Sequence, residues 1–341
     1  MGFWGDWGDW RRNGVGRLKG VEEDMAPRLF LFALVSLTPL LSLANDVDVP
    51  SAPPPPAASA ENVEEVVVAA PEPRYVAPTL RDRIGRVWAP VYINGKGPYR
   101  LVLDTGANRT AVIPSLAKKI GTPAGTNQLK VLGATGSSIV PAIKVNSIEI
   151  GDLFLGDRQV AIVPDVFGGA EGVLGADGLG DKRIHIDFKN DQISILRSSG
   201  PVRANGYTRI PVKLRYGHLL MFDVKLAGVR TRAMLDTGAQ STIGNSTLRA
   251  ALAKRKRQGV ENTIIGVTLD AQKGETVLAP SVELGDLTLS GMQVTFGDMY
   301  IFDAWNMTDT PALLIGMDII GLLDTLIIDY KRRELHLRAR G

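Results

Sequence analysis

The chain has 341 residues, 45% hydrophobic and 22% charged, which is enough to bury a sizeable core and has the length of about two domains. Thirty-nine basic side chains against 36 acidic ones leave a net charge of +3, too even a balance to imply a nucleic-acid partner. The absence of cysteine excludes a disulfide framework, a thiol nucleophile and thiolate metal sites.

Residues 1–24 mix Trp, Gly and charge with no apolar period, so they read as disordered or as preceding a true start at Met25. Arg28 then precedes an apolar run from Leu29 to Leu41, and Ser42, Leu43 and Ala44 put small residues where a signal peptidase cuts. A signal peptide over 25–44 is expected, with export and the periplasm as destination. The alternative is an uncleaved membrane anchor, although Leu29 to Ala44 is 16 residues against the roughly 20 that span a bilayer. Eight of the 20 prolines lie between Asn45 and Pro78, so 45–83 reads as an extended Pro/Ala-rich tether that cannot form a packed core.

From about Ile84 the chain consists of short β-branched runs broken by glycine turns, with Asn94-Gly95 a hairpin signal. Helical patterning is confined to Ile113–Ile120 and Asn245–Arg257. Each follows a copy of one motif: Leu103-Asp-Thr-Gly-Ala107 recurs as Leu235-Asp-Thr-Gly-Ala239, with a threonine at the same distance, Thr110 and Thr242. Ile148-Glu-Ile-Gly-Asp-Leu153 is echoed by Val282-Glu-Leu-Gly-Asp-Leu287, and Val173-Leu-Gly-Ala-Asp177 by Leu314-Ile-Gly-Met-Asp318. Five fixed residues recur by chance at roughly one position in three million, so the register marks an internal duplication. The expected lobes are 84–199 and 205–341.

Leu101 to Leu103 are apolar without alternation, as in a strand buried on both faces that delivers Asp104 at its end. The glycine allows a tight turn, and the threonine offers a hydroxyl to a partner turn. Two such turns at a pseudo-twofold axis would set two carboxylates side by side. At about 3 Å and an effective dielectric near 20, two charges repel by about 5 kcal/mol, so the pair shares one proton. The ionised member can take a proton from water that attacks a carbonyl, while the protonated member donates to the carbonyl oxygen. That chemistry needs no metal, no other cofactor and no covalent intermediate.

These paired turns, each followed by an apolar-apolar-Gly segment, Val173-Leu174-Gly175 and Leu314-Ile315-Gly316, resemble the retropepsin-like family of aspartic peptidases. The shared proton is that family's established behaviour. The resemblance implies an all-β fold: two closed β lobes in a pseudo-twofold, pepsin-like bilobal arrangement. It implies an aspartic endopeptidase with catalytic Asp104 and Asp236, supported by the turn residues Thr105, Gly106, Thr237 and Gly238. Both motifs lie on one chain, so a monomer with an intramolecular site is expected, a homodimer being the alternative. The implied partner is an extended polypeptide. By the same analogy Asn108, Arg109, Gln240 and Ser241 line substrate pockets, unless they serve only the loop. Val131–Gly136, with Gly133, and Ile264–Val267, with Gly266, are the candidate flaps. A noncatalytic module binding a peptide or an envelope component on the same fold is the competing reading.

Asp177, Asp187, Asp318 and Asp329 also recur. Asp177 and Asp318 read as caps of the helices that follow, and Asp187 and Asp329 as the polar face of a strand. His185, His218 and His336 show no metal-ligand spacing and no Ser-His-Asp arrangement. Lys254-Arg-Lys-Arg257 reads as the solvated end of a helix.

Overall fold

The computed structural model describes residues 85–121, 127–202, 205–252 and 259–340, together with the backbone of 29–30, 35–37 and 76–78. The fold is all-β and bilobal. In the first lobe Trp88–Ile93 and Lys96–Leu103 form a hairpin whose turn residues Asn94 and Gly95 both have positive φ, as the Asn-Gly pair predicts. In the second, Leu219–Leu226 and Val229–Leu235 repeat it through Ala227 at φ 50° and Gly228. Alanine rarely adopts that conformation, so this turn carries no comparable sequence signal.

Each lobe then passes a short strand between others in the sheet. Gly172–Leu174 runs parallel to Lys96–Leu103, with Val102 opposite Val173 and Leu103 opposite Leu174. Ala312–Ile315 runs parallel to Val229–Leu235 in the same way. All of these strand residues from Leu101 to Leu103 and from Ala312 to Ile315 are buried, which explains the unbroken apolar runs. Helices Pro114–Ile120 and Ser246–Leu252 follow the motif as expected; the first carries proline in its first turn and stops at Gly121. The second is capped by Asn245, whose Oδ1 accepts from Leu248 N at 2.9 Å. Lys254–Arg257 lies outside the described residues.

A third sheet joins the lobes. Its order is Thr208–Pro211, Glu334–Ala339, Leu323–Asp329, Lys182–Asp187, Gln192–Arg197 and Val76–Pro78, the middle pair running antiparallel across the lobe boundary. At its centre Arg183 of the first lobe makes a 2.7 Å ion pair with Asp329 of the second, which Ser198 Oγ and Arg332 N also serve. This corrects the sequence reading of Asp329 as a polar strand face: it is fully buried, because a cation from the other lobe meets it there. Asp187 does stay near the surface, accepting from Lys189 N and Asn190 N in a turn. Residues 76–78 correct the tether in one place, since they add an edge strand beside Gln192–Ser194.

The hydrophobic core runs through both lobes and includes Leu103 and Leu174 from the first and Leu235 and Ile315 from the second. Each such side chain contributes about 1.5–3 kcal/mol on burial. The signal-like segment lies outside the described residues except for backbone strands Leu29–Phe30, beside Val131–Leu132, and Val35–Leu37, beside Thr263–Ile265. Among the described residues no helix is long and apolar enough to cross a membrane.

Candidate active site

The two Asp-Thr-Gly-Ala turns meet where the lobes meet. Asp104 N donates to Leu174 O and Asp236 N to Ile315 O, both at 3.0 Å, so the neighbouring parallel strand holds each aspartate as it leaves its own strand. Within each turn the carboxyl is aimed by its own backbone. Gly106 N and Ala107 N donate to Asp104 Oδ1 at 2.9 Å, and Gly238 N and Ala239 N donate to Asp236 Oδ1 at 2.9 and 3.1 Å.

The threonines lock one turn to the other. Thr105 Oγ1 donates to Leu235 O at 2.8 Å and accepts from Thr237 N at 3.1 Å. Reciprocally, Thr237 Oγ1 donates to Leu103 O at 2.6 Å and accepts from Thr105 N at 3.1 Å. Four buried hydrogen bonds thus cross the lobe boundary directly beneath the aspartates. A hydroxyl is required, because only a group that both donates and accepts can close this ring.

A second layer corrects the capping reading of Asp177 and Asp318. Both turn back toward the threonine that follows the motif. Asp177 Oδ1 accepts from Thr110 N and Thr110 Oγ1 at 3.1 Å, with Arg158 Nη1 2.6 Å from its other oxygen. Asp318 accepts from Thr242 N at 2.8 Å and Thr242 Oγ1 at 2.7 Å. Those hydroxyls in turn accept from Gly175 N and Gly316 N. The helix after Gly316 leaves Asp318 inside its first turn, past the capping position, so its carboxylate is free to reach back.

Asp104 and Asp236 are 0% and 1% exposed, and among the described residues their Oδ2 atoms have no hydrogen-bond partner outside the pair. Burial, then the charge of Asp236, pushes Asp104 well above the usual carboxylate range, against the amides of Ala107 and Gly106. Burial raises Asp236 to about 7, opposed by the amides of Gly238 and Ala239, by the Asp104 carboxyl and by the positive charge of Arg86. Two such carboxyls titrate as one unit, with apparent values that belong to the pair.

The other expected residues divide. Asn108 and Gln240 follow the turns directly and are half-buried. The backbones of Arg109 and Ser241 pack against Gly175 and Gly316, where an added Cβ would meet main-chain carbon at 2.3 and 2.7 Å. Gly133 and Gly266 sit in two hairpin tips that touch each other. A Cβ on Gly133 would meet Val267 at 3.1 Å and one on Gly266 would meet Thr135, whose Oγ1 accepts from Gly266 N at 3.0 Å. Leu132 and Ala134 of the first tip pack into an apolar cluster of the second lobe with Met299, Ile301, Phe302 and Trp305. Ala134 O accepts from Ile301 N at 3.2 Å. The two tips are therefore in contact with each other, and the first is held against the second lobe.

Sequence reasoning missed three buried neighbours of the pair. Arg86 is fully buried with its guanidinium 6.0 Å from the Phe167 ring, and its charge acts on Asp236. The Tyr330 phenol is buried and raised by burial and by the charge of Asp104. His218, from the second lobe, has Nδ1 2.9 Å from Tyr216 O and contacts the Gly106 backbone of the first turn; burial holds its imidazole below the ordinary value. Only the breaks in the duplication, Arg86 against Leu219 and Tyr330 against Phe188, could have flagged the first two.

No individual curated protein matches the chain. The sequence profile described as aspartyl protease matches twice, over residues 89–177 and 222–319, and each match contains one of the two interlocked turns. With more than half of its length matched, half in each lobe, the chain belongs to the aspartyl protease family, and its function is of the protease type.

Proposed function

We propose that the protein is an aspartic endopeptidase, active as one chain, that hydrolyses extended polypeptide segments with Asp104 and Asp236 as its catalytic pair. The observation that carries this reading is the reciprocal Thr105–Thr237 interlock, which brings two backbone-aimed carboxyls from two lobes into one buried, coupled pair. Two mutually repelling, desolvated carboxyls are costly to bury, and such perturbed groups cluster at functional sites.

In the proposed reaction the ionised carboxyl takes a proton from water as the water oxygen attacks the scissile carbonyl carbon. The protonated carboxyl gives its proton to the carbonyl oxygen, forming a gem-diol. The first carboxyl then gives its proton to the amide nitrogen and the C–N bond breaks, while the second carboxylate takes a gem-diol hydroxyl proton as the carbonyl re-forms as a carboxylic acid, so the pair again holds one proton. The two tips, which the Thr135–Gly266 and Ala134–Ile301 hydrogen bonds hold to each other and to the second lobe, act in this reading as flaps that separate to admit a chain.

The working body comprises lobes 84–199 and 205–341, which share a sheet and a core and so need no second copy. The 25–44 segment acts as a signal peptide that directs export, with the periplasm as destination. The test is digestion of a mixed library of unfolded peptides by the full chain across pH 3 to 8, alongside the Asp104→Asn and Asp236→Asn variants. Cleavage by wild type that both variants lose supports the reading. Folded wild type that binds peptides without cutting them at any pH would replace it with a noncatalytic binding module.

A further inference from the structure

The strand that delivers Asp236 carries unpaired charge along its outer half. On Val229–Leu235, residues two apart share a face, so Arg230 and Arg232 lie on the face of Met234, while Ala233 and Leu235 turn the other way. On the neighbouring strands Met221 and Asp223 stand opposite Met234 and Arg232, and Lys213 stands opposite Met221. Met221 and Met234 belong to the apolar cluster that reaches Ala239 of the second Asp-Thr-Gly-Ala turn. Beyond Met221 the same face opens into a groove of about 500 Å³ lined by Lys213, Arg215, Asp223 and Arg232. Past Arg232 it continues into a space of about 340 Å³ lined by Arg230.

The first lobe shows how such an arginine is otherwise engaged. Arg100 stands four residues before Asp104, as Arg232 does before Asp236. Its guanidinium lies 4.8 Å from the Trp88 ring, and its backbone N donates to Glu171 Oε2 at 3.1 Å. Trp88 and Met221 each stand opposite the residue two before an aspartate, so Met221 replaces the ring. Glu171 and Ala312 each lie two residues before the partner of that same position, so Ala312 replaces the carboxylate. Among the described residues Lys213, Asp223, Arg230 and Arg232 make no ion pair, although Lys225 on the same face pairs with Glu283 at 3.0 Å. Four cations around one carboxylate in a concave surface focus a positive field.

We propose that this groove is the outer arm of the substrate cleft and selects extended peptides that carry glutamate or aspartate. The proposal rests on the peptidase reading for the position of the scissile bond. Arg232 lies four residues before Asp236 on one strand, about 13 Å at roughly 3.3 Å per residue. An extended substrate covers that distance in about four residues, so the selected acidic residue lies three or four positions from the bond that is cut. A peptide suits the groove better than a nucleic acid, because the cations adjoin apolar side chains and share the groove with Asp223, which repels a continuous run of phosphates.

The deciding experiment uses a series of unfolded peptides with a single glutamate placed at each position in turn, each paired with a twin carrying glutamine there. Binding is read by fluorescence anisotropy with the full-length Asp104→Asn protein, and cleavage with the full-length wild type. With the acid three or four residues from the cut, the glutamate peptide is expected to bind, and to be cleaved by kcat/KM, about fivefold better than its twin. Arg232→Gln, at an exposed position, should bring that ratio to about one, and Arg232→Glu should reverse it. Equal binding of the twins at every position overturns the proposal, and so does a preference that Arg232→Gln and Lys213→Gln both leave intact. Tighter binding of a single-stranded oligonucleotide of the same length than of the glutamate peptide overturns it in favour of a nucleic-acid surface. Preferential binding of the glutamate peptide without cleavage of any peptide by wild type upholds the acidic-peptide groove and removes the peptidase reading.

Discussion

The two lobes agree in every backbone contact that aims the aspartates and differ in the side chains that surround them. The amide hydrogen bonds to Asp104 and Asp236 match to within 0.2 Å, and Thr110–Asp177 is repeated by Thr242–Asp318. Against that, Arg86 stands where the second lobe has Leu219, Tyr330 stands where the first lobe has Phe188, and the helix Tyr300–Ala304 stands where the first lobe has the loop around Phe167. Duplicated turns must superpose, because two carboxyls can share a proton only at short range. The neighbours were free to diverge, and their divergence gives two equivalent carboxyls unequal surroundings.

The sharpest way to break this comparison is to disable one lobe at a time. Asp104→Asn and Asp236→Asn should each lower kcat/KM by at least about 100-fold, by similar amounts, with the fold retained and no loss of melting temperature at neutral pH. Substantial residual cleavage in either variant would mean that one lobe acts without the other.

The second test is thermodynamic. Both aspartates have folded-state values raised above the ordinary one, Asp236 from 3.8 to about 7. Raised carboxyls favour the folded state below their unfolded value, and this contribution is lost as pH rises through the folded value. For Asp236 it is on the order of 4 kcal/mol. Thermal unfolding between pH 4 and 8 should show wild type losing stability with rising pH, and the double Asp→Asn variant should lose that slope. Identical slopes would show that the pair is hydrated in the resting protein.

Glycine substitutions compare the second layer of each lobe. A Cβ at Gly175 would come within 2.3 Å of Arg109 main chain, and one at Gly316 within 2.7 Å of Ser241 main chain. Neither neighbour is a side chain that can swing away. Gly175→Ala should therefore cost about 3 kcal/mol and Gly316→Ala about 1–2 kcal/mol in denaturant unfolding. The reverse order would mean that the second lobe is the more rigid.

The smallest effect concerns the tips. Thr135→Val removes the hydroxyl that receives Gly266 N and should destabilise the closed arrangement by about 1 kcal/mol. Amide exchange at Gly266 should quicken about fivefold, with no change at Gly106 or Gly238. Unchanged exchange at Gly266 would mean that its other acceptor, Asp270 O at 3.2 Å, holds that amide by itself.

Much of the scaffold was legible because it is local. Leu101–Leu103 announce a strand buried on both faces, Asn94-Gly95 a hairpin, and the repeated Asp-Thr-Gly-Ala a duplicated turn. The pairing of 76–78 with Gln192–Ser194 was not legible, because proline-rich composition says nothing about a short edge strand. Asp177 and Asp318 were misread as caps for a related reason. Position relative to a helix is visible in sequence, but a carboxylate reaching back some 70 residues to a threonine is not.

The sequence by itself determined that two equivalent aspartate turns exist, that each ends a buried strand, and that both belong to one chain. Those properties follow from composition, period and repeat, which are written residue by residue. Only the tertiary structure decided that Thr105 and Thr237 exchange hydrogen bonds across the boundary, that Arg86, His218 and Tyr330 gather around the pair, and that the two tips meet each other. Each of these depends on groups more than a hundred residues apart meeting out of water, where a charge or an unmatched polar group acts far more strongly than at the surface.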